Sequence, residues 1–189
     1  MFVTFRQDLA QTFPAPYTWR TCLTAFFQMP VWAVGIFRFG KRAQAIRFGL
    51  LRMALLAVYF LLYKISEVLS GIQISIHSEI GPGLVVHNFG GVLIQGRLGR
   101  NCTIVQGAQL IFGTDGKNSG WPTLGDNVYV GSGAKLLGNI RVGNNVRIGA
   151  NAVVMGDVPD DSLVMPPECK VIRGFYRKRA ALKEPEAAR

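Results

Sequence analysis

Ile74, Ile80, Val86, Val92, Leu98, Ile104 and Leu110 stand six residues apart, and the interval resumes at Leu124, Val130, Leu136, Val142, Ile148 and Val154. A six-residue period of this kind marks a parallel β-helix, each hexad being one short strand and a turn. Three hexads close one triangular coil, and stacked coils bury the aliphatic slots in one continuous core. No other regular architecture keeps an aliphatic residue at so many equal steps.

The turns support the same reading. Gly83, Asn101, Gly107, Gly113, Asn127, Gly133, Asn139, Asn145 and Asn151 lie three residues after an aliphatic slot. Glycine and asparagine accept the left-handed backbone angles that tight corners impose. The period breaks once, between Leu110 and Leu124, where Gly116-Lys117-Asn118-Ser119-Gly120-Trp121-Pro122 forms an excursion from one corner. Loops on a rigid scaffold are where binding residues gather.

The 189 residues carry a net charge of +10, and it is unevenly distributed. Residues 1–70 hold eight Lys/Arg against two acids and 168–189 hold seven against three, whereas the repeat body holds six of each. No helix-turn-helix, zinc-finger or RNA-recognition pattern accompanies the basic flanks, so no nucleic-acid partner is expected. The cations border apolar stretches, which suits an anionic membrane surface. Met53 to Tyr63 is apolar without interruption between Arg52 and Lys64. Eleven residues are too few to cross a bilayer, which needs about 20. The segment therefore reads either as a buried helix docked on the β-helix or another subunit, or as a peripheral membrane contact. No signal peptide is evident. Cys22, Cys102 and Cys169 have neither metal nor redox spacing. Cys102 falls on an inward slot, and a reducing cytoplasm, with a possible peripheral position at the inner face of the membrane, is the expected location.

These features divide the chain into a basic helical segment at 1–70, a β-helix at 71–173 with a loop at 114–123, and a basic tail at 174–189. Residues 1–20 are mixed, Pro14 and Pro16 marking irregular structure. From Thr21 to Ser70 the pattern is helical, with a break near Pro30 and a stop at Gly71. Pro159-Asp160-Asp161 closes the last coil.

The stretch Gly71-Ile72-Gln73-Ile74 through Ile80-Gly81-Pro82-Gly83 and Val86-His87-Asn88-Phe89-Gly90-Gly91 resembles the serine acetyltransferase-like hexapeptide-repeat acyltransferases. So do the run from Leu124 through Val130-Gly131-Ser132-Gly133 to Gly138 and the run Ile148-Gly149-Ala150-Asn151. The pattern is most similar to relatives of exopolysaccharide and capsule assembly. This resemblance implies an all-β left-handed β-helix behind an α-helical segment, assembled as a homotrimer with sites in the clefts between prisms. It implies acetyl-CoA as co-substrate and no metal.

In that family a histidine takes the proton of an acceptor hydroxyl as it attacks the thioester, a task suited to a neutral imidazole. An acid fifteen positions upstream completes the dyad. Here those two positions hold Gln73 and Asn88, neither of which is a base near neutrality. His87 stands one residue from the expected place and is the candidate base, with Asn88 beside it; a surface corner residue without a role is the competing reading. Gln73 and His77 are candidates for acceptor contact, although His77 reads better as an exposed turn residue. The resemblance places the CoA arm along Ser132 and Ala150, which are also ordinary small repeat residues. It places the CoA phosphates near Lys170 and Arg173, and Gly113 and Thr114 beside the cofactor. Glu168 brings a negative charge to the same neighbourhood.

The expected activity is O-acetylation of a hydroxyl. Free L-serine needs a charged pocket that Gln73 does not supply, so a saccharide acceptor of polysaccharide synthesis is favoured. The alternative is a non-catalytic β-helical scaffold or regulatory protein that has lost the dyad. A carbonic anhydrase on the same scaffold needs three histidines on its metal, and the chain has two.

Overall fold

The computed structural model describes residues 2–13, 27–88, 90–114, 118–168 and 170. Short parallel strands stack into three sheets that form the faces of a prism. The first face holds β1 (Ile72–Ile74), β4 (Val92–Ile94), β7 (Gln109–Ile111), β10 (Lys135–Leu137) and β13 (Val153–Val154). The second holds β2 (Glu79–Ile80), β5 (Arg97–Leu98), β8 (Thr123–Leu124) and β11 (Arg141–Val142). The third holds β3 (Val85–His87), β6 (Thr103–Val105), β9 (Tyr129–Val130), β12 (Arg147–Ile148) and β14 (Leu163–Val164). The expected hexapeptide-repeat β-helix behind a helical segment is the fold observed.

Inside, the aliphatic slots line up in columns. Ile80, Leu98, Leu124 and Val142 stack on the second face. Val86, Ile104, Val130, Ile148 and Val164 stack on the third. Ile94, Ile104, Val130 and Leu136 have no exposed surface. At the edge between these two faces, Asn101, Asn127 and Asn145 take left-handed φ of 54°, 58° and 56°. Their amides bond upward in a ladder, Asn101 to Asn127 at 3.3 Å, Asn127 to Asn145 at 3.1 Å and Asn145 to Asp161 at 2.9 Å.

The first face departs from the six-residue count in one place. Ile74 pairs with Ile94, and Val92 pairs with Ile72 instead. The step from Val86 to the next column residue is therefore eight residues long, and the step from Ile94 to Leu98 is four. Two residues have moved from one corner to its neighbour, and the sum hides the transfer. Beyond Leu110 the excursion lengthens one coil, Arg97 pairing with Thr123 where Glu79 pairs with Arg97 eighteen residues away. The solenoid also runs past Pro159-Asp160-Asp161, because Val158 bridges Val142 and β14 pairs with β12.

Three helices lie wholly within the described residues before the prism: α1 (Phe2–Thr12), α2 (Met29–Gln44) and α3 (Gly49–Ser70). Pro30 sits in the first turn of α2, where its missing N–H costs nothing, so it starts that helix and does not break it. Gly71 ends α3 with φ 63° and donates its N–H to the Glu67 carbonyl. Ala33, Val34 and Phe37 of α2 are buried in one cluster with Ile72, Ile74, Leu84 and Val86, closing the open end of the prism.

One reading is filled in and another corrected. Within the mixed first stretch Phe2–Thr12 is helical, held by Asp8, while Pro14 and Pro16 lie outside the described residues. That carboxylate takes Arg38 Nε at 3.0 Å and Nη2 at 3.1 Å, and accepts the N–H groups of Gly83 and Leu84 at 2.8 and 2.9 Å. The contact joins residues some 75 positions apart, beyond the reach of local patterning. Second, the run Met53 to Tyr63 is not buried against this chain's own β-helix. It is the middle of α3, where Met53, Phe60 and Leu61 are 70%, 60% and 62% exposed.

Asp8→Ala leaves the Arg38 guanidinium buried without its counter-charge, and a loss of about 3–5 kcal/mol in urea unfolding is expected. Arg38→Met on the same background is expected to recover part of it, and a loss below about 1 kcal/mol for Asp8→Ala would show that the pair does not hold the cap. Cys102 is fully buried, and that burial pushes its thiol up to about 11. Its contribution to stability is intact below the ordinary thiol value of 9.0 and falls as pH rises towards 11. Site-resolved alkylation at mildly alkaline pH is expected to spare Cys102 until denaturant is added.

Candidate active site

Two long edges flank the first face, and the candidate residues divide between them. On the edge entering the face from the third, the first corner carries His87, Asn88, Gly90 and Gly91. Above it sits Gly107, whose N–H donates to the Gly90 carbonyl at 3.0 Å. Ser132 and Gly133 follow, with Gly133 N–H bonded to Gln106 O at 3.0 Å, and then Ala150 and Asn151, with Asn151 N–H bonded to Ser132 O at 2.8 Å. The candidate base and both residues proposed for the CoA arm thus stand on one edge, one corner above another.

The lowest of these corners is the one enlarged by two residues. Asn88, Gly90 and Gly91 all have positive φ, at 63°, 101° and 66°. His87 ends β3 and Asn88 begins a left-handed turn, so the two side chains do not obey simple strand alternation; both are exposed. The corner rests on the C-terminal end of α3, where Gly90 donates to Ser70 O at 2.8 Å. A side chain at Gly71 would lie 3.1 Å from the Gly90 Cα, so glycine is needed for the approach as well as for the turn. Among the described residues the His87 imidazole has no hydrogen-bond or ion-pair partner.

Gln73 points outward from the first face, and its amide donates to Glu67 Oε1 of α3 at 2.9 Å. Glu67 also takes Lys64 at 2.8 Å. A carboxylate therefore stands beside the position where the resemblance expects one, but it comes from the helix preceding the repeats. Sequence reasoning missed it because an acid near a helix end carries no motif.

The other edge leads from the first face to the second. His77 is exposed there, in the turn between β1 and β2. It lines a cavity of about 360 Å³ with Ser75, Glu79, Arg97, Trp121 and Asn139, among others. Gly113 and Thr114 open the loop on the same edge, and Gly113 pairs with Gly120 through N–H bonds of 2.9 and 3.2 Å in the two directions. Phe112 packs against Trp121, ring centroids 4.7 Å apart, and so fixes the loop over the cavity. Glu79 and Arg97 pair across its floor at 3.1 Å. Gly113 and Thr114 are thus on the opposite edge of the face from Ser132 and Ala150. Lys170 is exposed, and Arg173, Cys22, Cys169 and the 174–189 tail lie outside the described residues.

Residues 122–156 match the bacterial transferase hexapeptide (six repeats) family. The chain is 42% identical over 109 residues to the serine acetyltransferase of Synechococcus elongatus, a match covering 56% of this chain and 44% of that protein. It is 49% identical over 109 residues to that of Synechocystis sp., covering 56% of this chain and 43% of the relative. The chain thus spans less than half the length of these relatives. In structure it is similar to the serine acetyltransferase of Neisseria gonorrhoeae solved in complex with serine, with TM-score 0.71 and 27% identity, covering 89% of this chain and 68% of the other. Part of the β-helix thus matches the bacterial transferase hexapeptide family model, and the proteins the chain resembles in both sequence and fold are serine acetyltransferases.

Proposed function

We propose that this protein is an acetyl-CoA-dependent O-acetyltransferase. The observation that carries the reading is the alignment of His87, Ser132 and Ala150 on one edge of the prism. In this reading the CoA arm runs along Ser132 and Ala150, whose small side chains leave the backbone open, and Lys170 and Arg173 take its phosphates. His87 accepts the proton of the acceptor hydroxyl as the oxygen bonds to the thioester carbonyl carbon. The Asn88 amide can donate to the oxyanion that develops. Collapse breaks the carbon–sulfur bond, and the imidazolium returns the proton to the departing thiolate. Among the described residues the His87 imidazole lacks an orienting partner, which fits a site completed by a neighbouring prism of a homotrimer.

The names of the relatives favour L-serine as acceptor, and the expected preference for a polysaccharide hydroxyl finds no support in them. A second reading, a scaffold without catalysis, draws on Asn88. Its φ of 63° is the corner conformation that Asn101, Asn127 and Asn151 adopt, so its turn role alone accounts for the residue.

Purified protein with acetyl-CoA should release thiol in the presence of one member of a panel of serine, nucleotide sugars and oligosaccharides. His87→Ala is expected to lower kcat about 10²–10⁴-fold, the usual worth of a positioned acid–base. His77→Ala, in the lining of the cavity on the other edge, should leave kcat within about 3-fold and show its effect in the KM for the acceptor. Failure of calorimetry to detect CoA binding to the intact protein would establish the scaffold reading.

A further inference from the structure

We infer that the α2–α3 hairpin docks this protein on the surface of an anionic phospholipid bilayer. A helix on a soluble body shows one apolar stripe and a polar opposite face. In α3 the inward stripe is narrow, with Tyr59, Ser66 and Ser70 its buried members. The outward surface is apolar as well: Leu50, Phe60, Leu61 and Val68 are 88%, 60%, 62% and 84% exposed. Twenty-two residues of this character give an apolar rod about 33 Å long. Apolar surface of that extent marks a place where something is bound.

The apolar surface continues across the hairpin. Met29, Trp32 and Ile36 of α2 face Leu62, Ile65 and Leu69 of α3 around an open groove of about 310 Å³. The groove presents almost no polar atoms, as an acyl chain requires.

The charges identify the partner. Lys41 and Arg42 end α2, Arg47 lies in the turn, and Arg52 is in the first turns of α3. Among the described residues none of these four has an ion-pair partner. Between Met29 and Ser70 the one acid is Glu67, at the far end of α3 and already engaged with Lys64. Exposed Phe48, Leu50 and Met53 are interleaved with these cations. Apolar side chains ringed by unpaired cations match the boundary between acyl chains and anionic headgroups. A second copy brought to the same tip would set like charges against each other, so the charge pattern favours lipid over self-association.

The hairpin lies on the bilayer and does not cross it. Tyr59 packs so closely on Gly40 that a Cβ there would stand 2.5 Å from the ring, which keeps α3 against α2. Arg52, Lys64 and Glu67 also interrupt the rod.

The test is cosedimentation of the full-length protein with vesicles of phosphatidylcholine alone and of phosphatidylcholine mixed with phosphatidylglycerol. Binding is expected for the anionic vesicles, with at least about a tenfold weaker affinity for neutral ones and a steep loss at high salt. Arg47→Glu combined with Arg52→Glu should reduce binding to anionic vesicles by a similar factor, with thermal melting unchanged because both side chains are exposed. Leu50→Glu should weaken binding at any salt concentration. Failure of the native protein to sediment with anionic vesicles would overturn the inference. So would equal binding to both vesicle types that ignores the arginine reversal. Concentration-dependent self-association abolished by Leu61→Glu, without vesicle binding, would assign the surface to a second copy.

Discussion

The prism depends on one buried carboxylate. A stacked β-helix satisfies its backbone groups from the coil above and the coil below, so its first coil has an edge with nothing beneath it. At the corner from Ile80 to Leu84 that deficit falls on two N–H groups and two carbonyls. Asp8 accepts from Gly83 and Leu84, while Arg38 donates to the Ile80 carbonyl at 2.7 Å and the Gly81 carbonyl at 2.6 Å. The two side chains then neutralise each other, so a charged pair with only 3% and 9% side-chain exposure leaves no polar atom unsatisfied. This ties α1 and α2 to the prism from opposite sides of one corner, and it lets Ala33, Val34 and Phe37 seal the column of aliphatic residues.

With that end closed, the corner beside it is free to differ from the rest. A higher coil must match its neighbours on both sides, so its corners either keep a fixed length or throw extra residues outward, as the excursion before Thr123 does. The His87–Gly91 corner has a coil above but the end of a helix below. Gly90 and Val92 donate to Ser70 and Gly71 carbonyls, not to a lower strand. Two extra residues fit there because no lower corner constrains them, and the short Gln95-Gly96 turn restores the register before Leu98. The candidate base therefore sits at a corner where the scaffold tolerates a change of path.

What could be seen from sequence follows the same division. The columns Ile80–Leu98–Leu124–Val142 and Val86–Ile104–Val130–Ile148 were legible because burial repeats with the coil. The shared edge of Ser132 and Ala150 was legible because eighteen residues separate them. The transfer of two residues between corners was not, since Val92 is aliphatic in either register and its burial is equally complete. Asp8 was not legible because its partners lie in distant segments. Glu67 escaped for a different reason: an acid near a helix end carries no motif, and it reaches Gln73 only because α3 runs straight into β1 through Gly71.

The position of the two histidines completes the argument about the site. His87 and His77 both belong to the first coil, but the width of the first face separates their corners, and each is exposed without a side-chain partner among the described residues. Along the His87 edge the upper corners are small and regular, which suits a long flexible ligand laid across successive coils. At the His77 edge the loop, with Trp121 braced by Phe112, roofs a compact polar cavity, which suits a small ligand held in place. An acyl transfer needs both kinds of surface at one point, and a single prism offers them on different edges. On the proposed acetyltransferase reading, the two surfaces meet only where a second prism sets its His77 edge against the first prism's His87 edge, as threefold packing of identical chains would do.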